Sequence, residues 1–188
     1  SRFGQLILLG HSEGALIASL AAPSVDAAAV ISVSGSARPI DQVLRQQLGN
    51  RLPPPLMLRS NELLDSLKAG HTDDNVPPQL QVIFRPSVQP YLISLFRQEP
   101  AKAFAQLKMP ALIVQGSNDM QVGVGDAQML KAAKPDAQLA VIEGMNHVMR
   151  IVPNDVKQQL ASYNAPQLPL AAELGSRLVR FIDGLQPR

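Results

Sequence analysis

Short apolar runs alternate along the chain with longer segments that have the composition of helices. Each run is continuous, is rich in leucine or β-branched residues, and is followed by small or polar residues. This pattern is typical of strands buried on both faces of a parallel sheet, because the crossover helices between parallel strands cover both faces. It predicts an α/β fold with a mostly parallel sheet flanked by helices. The predicted strands are residues 6–9, 25–33, 110–116 and 137–142.

The middle of the chain, residues 37–100, breaks this alternation. It is rich in proline and glutamine, shows no convincing core strand, and has helical patches at 41–48, 61–68 and 87–97. Its proline clusters predict several short helices joined by stiff turns, which indicates an inserted helical cap rather than a linker. Insertions of this kind lie over the strand ends, where α/β sheets bind ligands. The predicted organisation is therefore a core segment at 1–36, the cap at 37–100 and a second core segment at 101–188. The last segment ends in a predicted amphipathic helix at 170–185, with Leu174, Leu178, Phe181, Ile182 and Leu185 on its apolar face.

The sharpest break in the pattern is Gly10-His11-Ser12-Glu13-Gly14, between the first apolar run and a helix-forming segment. A chain that passes from strand to helix in so few residues must bend sharply, which forces the apex residue into strained backbone geometry. Glycines on both sides allow the strand end and the helix start to approach closely. The pattern is the G-x-S-x-G nucleophile elbow, with Ser12 standing above the sheet edge. The turn also places the backbone N–H of Glu13 at a helix N-terminus, which favours an oxyanion.

Two further polar residues follow predicted strands in the second core segment. Asp119 comes after the strand at 110–116, and His147 comes after the strand at 137–142. Because parallel strands end at one edge of the sheet, Ser12, Asp119 and His147 are expected to converge. The chain order of nucleophile, acid and histidine is that of α/β-hydrolases, and it differs from the orders of chymotrypsin-like and subtilisin-like enzymes. A serine hydroxyl needs such a base, and the base needs an acceptor that fixes its tautomer.

On these residues the chain resembles the catalytic C-terminal portion of an α/β-hydrolase-fold serine hydrolase, closest to the esterase, lipase and serine-aminopeptidase-like branch with a helical cap. The resemblance implies that Ser12 is the nucleophile, His147 the general base and Asp119 its orienting acid, with the Glu13 N–H in the oxyanion hole. It implies cleavage of carboxylic esters through an acyl-enzyme, without cofactor or metal. A serine at the elbow also argues against the epoxide-hydrolase and dehalogenase branches, which use aspartate there. The matching motifs are the elbow, the acid loop Gln115-Gly116-Ser117-Asn118-Asp119, and Gly144-Met145-Asn146-His147.

Each of these residues also has a structural interpretation. Ser12 could pack in a glycine-rich turn, Asp119 could cap the loop after its strand, and His147 could be an ordinary loop histidine. Their ordered placement at three strand ends favours the catalytic interpretation. For the whole chain, the alternatives are an amide or peptide hydrolase that uses the same residues, aminopeptidase-like, and a non-catalytic binding module. Structural roles are expected elsewhere: His11 packing behind the strand end, and Asp126 and Asp155 capping helices.

Composition changes this picture mainly by exclusion. The 188 residues are 46% hydrophobic and 17% charged, which fits a globular α/β domain. The net charge is only +2 and aromatic residues make up 4%, so we predict no nucleic-acid partner. No apolar run is long enough to span a bilayer. The sequence contains no cysteine, which excludes a disulfide framework and a cysteine nucleophile. The partner that the resemblance implies is a small-molecule ester or amide substrate, and nothing in the composition argues against it.

One part of the family pattern would precede Ser1. The second oxyanion donor of these enzymes comes from the loop after an earlier strand. A central strand without its neighbours would also expose unpaired backbone groups. We therefore expect the chain to be part of a longer polypeptide, or its N-terminal half to be a separate chain that acts as a partner.

Overall fold

The computed structural model of the protein describes residues 4–49 and 51–186, which form two compact units. One unit combines the chain up to Ala37 with the chain from Pro100 onward, and the other is Arg38–Glu99. The first three residues of the predicted segment 1–36, Asn50 in the predicted cap, and the last two residues of segment 101–188 lie outside the described residues. In chain order the elements are β1 (Ile7–His11), α1 (Glu13–Ala21), β2 (Ala29–Val33), α2 (Ile40–Gly49), α3 (Pro54–Lys68), α4 (Gln81–Phe84), α5 (Gln89–Phe96), α6 (Pro100–Ala105), β3 (Ala111–Gly116), α7 (Val124–Ala133), β4 (Gln138–Ile142), α8 (Val156–Ser162) and α9 (Ala172–Asp183), with 3-10 turns at Ala22–Ser24, Pro78–Leu80 and Pro86–Val88.

The first unit is built on a parallel sheet with the strand order β1-β2-β3-β4. Each neighbouring pair is parallel, so these strands end at the same edge of the sheet. Every residue of β2 and β3 is buried, which explains why both strands are mostly apolar in the sequence. On one face, Val30 and Ile113 share a core cluster with residues of α1, α6 and α7. On the other face, Ile31 and Val114 pack in a cluster with α9.

This architecture confirms the predicted α/β fold with a parallel sheet flanked by helices, although two strand boundaries differ. β1 continues through Gly10 and His11, which were predicted to belong to the turn, because both residues pair with β2. The predicted strand at 25–33 begins only at Ala29. Asp26 has a φ of 49°, which is a turn conformation, so the strand cannot continue back through this residue.

The C-terminal helix, α9, is shorter than predicted and buries a narrower face. Leu174 and Phe181 are buried, and Leu178 packs against the same cluster. Ile182, predicted to lie on the apolar face, is 42% exposed. Successive helical residues are rotated by about 100°, and Ile182 therefore turns away from the sheet when Phe181 faces it.

The second unit, Arg38–Glu99, contains helices and no strand among its described residues. Its core is formed by fully buried side chains of α3 and the segment that follows it, including Leu63, Leu67 and Phe84. α3 begins at Pro54, seven residues before the predicted patch at 61–68. Proline is compatible with the first turn of a helix, where its missing N–H would have had no intrahelical acceptor. The proline clusters therefore start helices in this unit as well as separate them.

Asp126 does not cap a helix as predicted, whereas Asp155 does, by accepting a hydrogen bond from the Gln158 N–H at 3.0 Å. The side chain of Asp126 lies in the first turn of α7 and is buried. Its Oδ1 accepts hydrogen bonds from Ser36 Oγ at 2.9 Å and from the Ala37 N–H at 3.0 Å. Asp126 therefore holds the point at which the chain leaves the first unit.

Replacement of Asp126 by alanine is expected to lower the free energy of unfolding by about 1–3 kcal/mol, because the buried Ala37 N–H would lose its acceptor. Asp126→Asn keeps an oxygen at the same position and is expected to lose less. Urea unfolding of the three proteins measures the difference. Equal losses in the two variants would contradict the hydrogen-bond explanation.

Candidate active site

Ser12 occupies the sharp turn between β1 and α1. Its φ of 55° and ψ of −121° are rare for a residue with a side chain and cost about 1–3 kcal/mol. The turn is held by the Ser12 N–H, which donates to the carbonyl of Val33 on β2 at 2.9 Å. Ser12 is the N-cap residue of α1, yet in the described chain its side chain makes no capping hydrogen bond. The helix therefore does not use the Ser12 hydroxyl, although serine is a favoured capping residue.

The two glycines of the turn are not equivalent, contrary to the expectation that both allow close approach. A Cβ added to Gly10 would lie 2.0 Å from the carbonyl oxygen of Gly14. A Cβ added to Gly14 would meet no atom of the described chain within 4 Å. The close approach of strand and helix therefore requires the lack of a side chain at Gly10 but not at Gly14.

Asp119 and His147 lie next to each other at the carboxyl ends of β3 and β4. His147 Nδ1 is 2.9 Å from Asp119 Oδ2, and the side chain of Asp119 is completely buried. The other carboxylate oxygen, Oδ1, accepts hydrogen bonds from the Gln121 N–H at 2.8 Å and the Val122 N–H at 3.0 Å. The sequence predicted that these residues converge, and the structure brings this pair into direct contact.

The two loops that carry this pair are also joined by their backbones. The Asn118 N–H donates to the Met145 carbonyl at 3.0 Å, and the Gly144 N–H donates to Ser117 Oγ at 2.8 Å. A Cβ added to Gly116 would lie 2.0 Å from the Met145 carbonyl oxygen, so only glycine fits there. These contacts join the acid loop to the loop at 144–147 that carries His147, the histidine loop.

The surroundings of Asp119 stabilise its charged form. Burial acts to raise the pKa of the Asp119 carboxyl, but the hydrogen bond and charge of His147 and the N–H groups of Val122 and Gln121 outweigh it. The pKa of Asp119 therefore lies below its ordinary value of 3.8. At neutral pH the carboxylate is a hydrogen-bond acceptor for the Nδ1–H of His147.

His11 has a role that the sequence did not predict. Instead of packing behind the strand end, its Nε2 donates to the backbone carbonyl of His147 at 2.7 Å, and the two imidazole rings are 4.8 Å apart. His11 precedes Ser12 in the elbow and thus connects the elbow to the histidine loop. No local signal predicts this contact, because the two residues are separated by most of the chain.

The structure places Ser12, Glu13, Asp119 and His147 at the same edge of the sheet but does not join all their side chains. Among the described residues, no hydrogen bond links the Ser12 hydroxyl to the His147 ring. Catalytic hydrogen bonds are often long before substrate binds. Glu13 is the first residue of α1, where the helix dipole is positive.

Residues 4–49 and 51–186 contain no cluster of three or more His, Cys, Asp or Glu side chains arranged to hold a metal ion. None of their helices combines the length and apolar character that crossing a membrane requires.

A cavity of about 370 Å³ lies at the amino ends of the strands, beside Gln5 and Pro110. It is therefore at the edge of the sheet opposite Ser12.

The environment of His11 predicts a pH dependence of stability. Burial is the main cause that lowers the pKa of His11 below its ordinary value of 6.5. The nearby His147 also lowers it, while the hydrogen bond to the His147 carbonyl and the charge of Asp119 oppose the shift. The unfolded chain therefore takes up a proton at higher pH than the folded chain does. The free energy of unfolding is expected to fall as the pH decreases from about 6.5 to the lowered pKa.

Urea unfolding at a series of pH values measures this effect. His11→Gln is expected to show a smaller decrease below pH 6.5, and the two proteins should have parallel profiles above pH 7. Identical slopes below about pH 6.5 would contradict the assignment of the effect to His11.

Comparison with known proteins gives consistent matches. The model of the Alpha/beta hydrolase family matches residues 2–159. Esterase EstD of Thermotoga maritima is 29% identical over 153 residues, which are 77% of this chain and 35% of that protein. The chain thus spans about a third of the length of this curated relative.

Solved structures show the same fold. A bromoperoxidase from Bacillus anthracis superimposes with a TM-score of 0.53 at 14% identity, covering 97% of this chain and 68% of that one. An esterase from Pyrococcus furiosus gives a TM-score of 0.52 at 17% identity, covering 97% of this chain and 54% of that one. At these identities the matches concern the fold alone.

Proposed function

Because the chain belongs to the Alpha/beta hydrolase family, we propose that it is a serine hydrolase that cleaves carboxylic esters through an acyl-enzyme. Ser12 would be the nucleophile, His147 the general base and Asp119 the residue that orients His147. The observation that carries the proposal is the 2.9 Å contact between Asp119 and His147 at the same sheet edge as the strained turn at Ser12. The similarity to Esterase EstD supports an ester as the substrate.

The contact with Asp119 determines what the His147 ring can do. An ionised carboxylate only accepts hydrogen bonds, so the Nδ1 of a neutral His147 must carry the proton. The lone pair is then on Nε2, which is the atom available to take a proton from Ser12. Asp119 also stabilises the imidazolium that forms when this proton arrives.

The reaction would proceed in two steps. Ser12 Oγ bonds to the carbonyl carbon of the ester while its proton moves to His147 Nε2, and the proton then passes to the alcohol oxygen as the carbon–oxygen single bond breaks. Water attacks the acyl-enzyme in the second step with His147 again as base, which releases the carboxylic acid and restores Ser12. The Glu13 N–H at the start of α1 would stabilise the negative charge on the carbonyl oxygen.

The helical unit Arg38–Glu99 is proposed as the cap that selects the substrate. Two observations support this role: the unit is compact by itself, and it lies in the chain between the elbow and the acid loop. The proposed boundaries of the cap, 37–100, follow from the sequence pattern.

The experiment that tests this function is labelling with a fluorophosphonate, followed by intact-mass measurement and peptide mapping. Ser12 Oγ would bond to phosphorus and the phosphorus–fluorine bond would break, with fluoride leaving and the serine proton passing to His147. We expect a single adduct on Ser12 that is absent from Ser12→Ala. Ser176→Ala, which changes an exposed serine of α9, is the matched control and should keep the adduct.

An adduct on another serine, or none on the native chain, would contradict the proposal. Rates with a p-nitrophenyl ester and the corresponding p-nitroanilide then distinguish substrate classes. The proposal expects a higher kcat/KM for the ester, whereas a preference for the anilide would indicate an amide or peptide hydrolase. An unreactive Ser12 in a folded chain would favour a binding module.

A further inference from the structure

We propose that Gln115 is a positioning residue that holds the carboxylate of Asp119 in the orientation required by His147. This inference rests on the proposed function, because it concerns the acid of the same site. Gln115 lies outside the elbow motif and is not one of the three catalytic candidates, so the proposed function itself gives it no role.

Gln115 is the last residue but one of β3 and is completely buried. Its Nε2 lies 3.2 Å from Asp119 Oδ2 and 2.8 Å from the carbonyl oxygen of Val122, with a longer contact of 3.4 Å to the carbonyl of Gly116. The amide therefore spans the turn from the end of β3 to Val122, and Asp119 lies within that turn.

The partners determine which way the amide faces. A carbonyl and an ionised carboxylate only accept hydrogen bonds, so the atom between Val122 and Asp119 must be the nitrogen. The opposite atom, Gln115 Oε1, is buried without a hydrogen-bond partner among the described residues. A buried oxygen in this state is unfavourable for folding. An apolar side chain, like those at 111–114 of β3, would avoid the cost of an unpaired buried oxygen but could not donate to Asp119.

Gln115 completes the set of donors around the carboxylate. Oδ1 of Asp119 accepts two backbone N–H groups, while Oδ2 is shared by His147 Nδ1 and Gln115 Nε2. The Gln115 donor lies on β3 and the His147 donor lies in the loop after β4, so rotation of the carboxylate would weaken at least one of the two bonds. Without Gln115, Oδ2 would be held only by the histidine that it is meant to orient.

The test compares Gln115→Met with a matched control, Gln159→Met. Gln159 is also a buried glutamine whose Nε2 donates to a carbonyl, that of Pro153 at 3.0 Å, and whose Oε1 has no partner in the described chain. Within the described chain its side chain makes no hydrogen bond to Asp119 or His147. Methionine has a similar length and cannot donate. The control therefore reproduces the loss of a buried amide without affecting the site.

We expect Gln115→Met to lower kcat and the fluorophosphonate labelling rate about tenfold, because the bond it removes is to a charged group, and to leave KM unchanged. Gln159→Met should stay close to the native rate. In the Asp119→Ala background, Gln115→Met should have almost no further effect, because its partner is gone. A tenfold loss in both backgrounds would show that Gln115 acts on folding or packing instead, and would overturn the inference.

A readout that does not need turnover is the proton NMR resonance of His147 Nδ1–H. It should shift or broaden in Gln115→Met and remain in place in Gln159→Met. An unchanged resonance in Gln115→Met would overturn the positioning role even if Ser12 is labelled normally. Conversely, failure of the native chain to label at Ser12 would reject the proposed function, and the resonance would still test the link from Gln115 to His147.

Discussion

Replacement of His147 by alanine is expected to lower ester turnover and the labelling of Ser12 by about 10⁴–10⁶-fold, because the proposed mechanism makes its Nε2 the acceptor of the proton from the hydroxyl. The change also leaves Asp119 without the donor at 2.9 Å from its Oδ2. Both losses have the same origin under the proposed mechanism, in which the His147 imidazole links the acid to the nucleophile. Burst kinetics with a p-nitrophenyl ester and the rate of adduct formation measure the loss.

Two controls separate catalysis from folding. His71→Ala changes an exposed histidine of the second unit and should keep full activity. His147→Gln preserves the approximate size of the side chain and can donate to Asp119 but is a very poor base, so it should fold like the native chain and remain inactive. Activity within about tenfold of native in either His147 variant would reject His147 as the general base.

The second large effect is expected at Gly10. An added Cβ would lie 2.0 Å from the Gly14 carbonyl oxygen and 2.3 Å from its carbon, and backbone atoms cannot move aside as a flexible side chain can. We expect Gly10→Ala to lower the free energy of unfolding by about 3–5 kcal/mol, because β1 and α1 must separate. Thermal unfolding and urea titration measure this loss.

Gly14→Ala is the matched control from the same pentapeptide. Its Cβ would meet no described atom within 4 Å, and alanine is more favourable than glycine in a helix by up to about 1 kcal/mol. We therefore expect this variant to be as stable as the native chain or slightly more so. Similar destabilisation by the two substitutions would show that the glycines are equivalent after all.

Much of this molecule could be predicted from local patterns. β2 and β3 were recognisable because burial on both faces requires mostly apolar residues, and parallel strands bring the residues that follow them to one edge. Ser12, Asp119 and His147 could therefore be placed at the same edge from the sequence alone. Knowledge of which strands are neighbours was not needed, since every parallel strand ends at that edge.

What could not be predicted depends on contacts between distant residues. The bond from His11 to the His147 carbonyl and the bond from Gln115 to Asp119 follow from the exact positions of loops and side chains. Asp126 had the sequence context of a cap, but its acceptor oxygen is used by Ser36 and Ala37 instead. In each case a polar side chain had several local uses, and the tertiary structure selected one of them.

The anchoring of Ala37 has an evolutionary consequence. The Ala101 N–H donates to the Ala37 carbonyl at 3.2 Å, so the first unit itself holds together the two points between which residues 38–99 are inserted. Closing a longer or shorter loop across two fixed ends changes the entropic cost by only about 0.6 kcal/mol for each doubling of length. The core thus offers an insertion point at which segments of different size can be exchanged while the sheet and its edge stay intact. Under the proposed function, substrate preference would diversify by exchange of this segment, while the arrangement of Ser12, Asp119 and His147 stays the same.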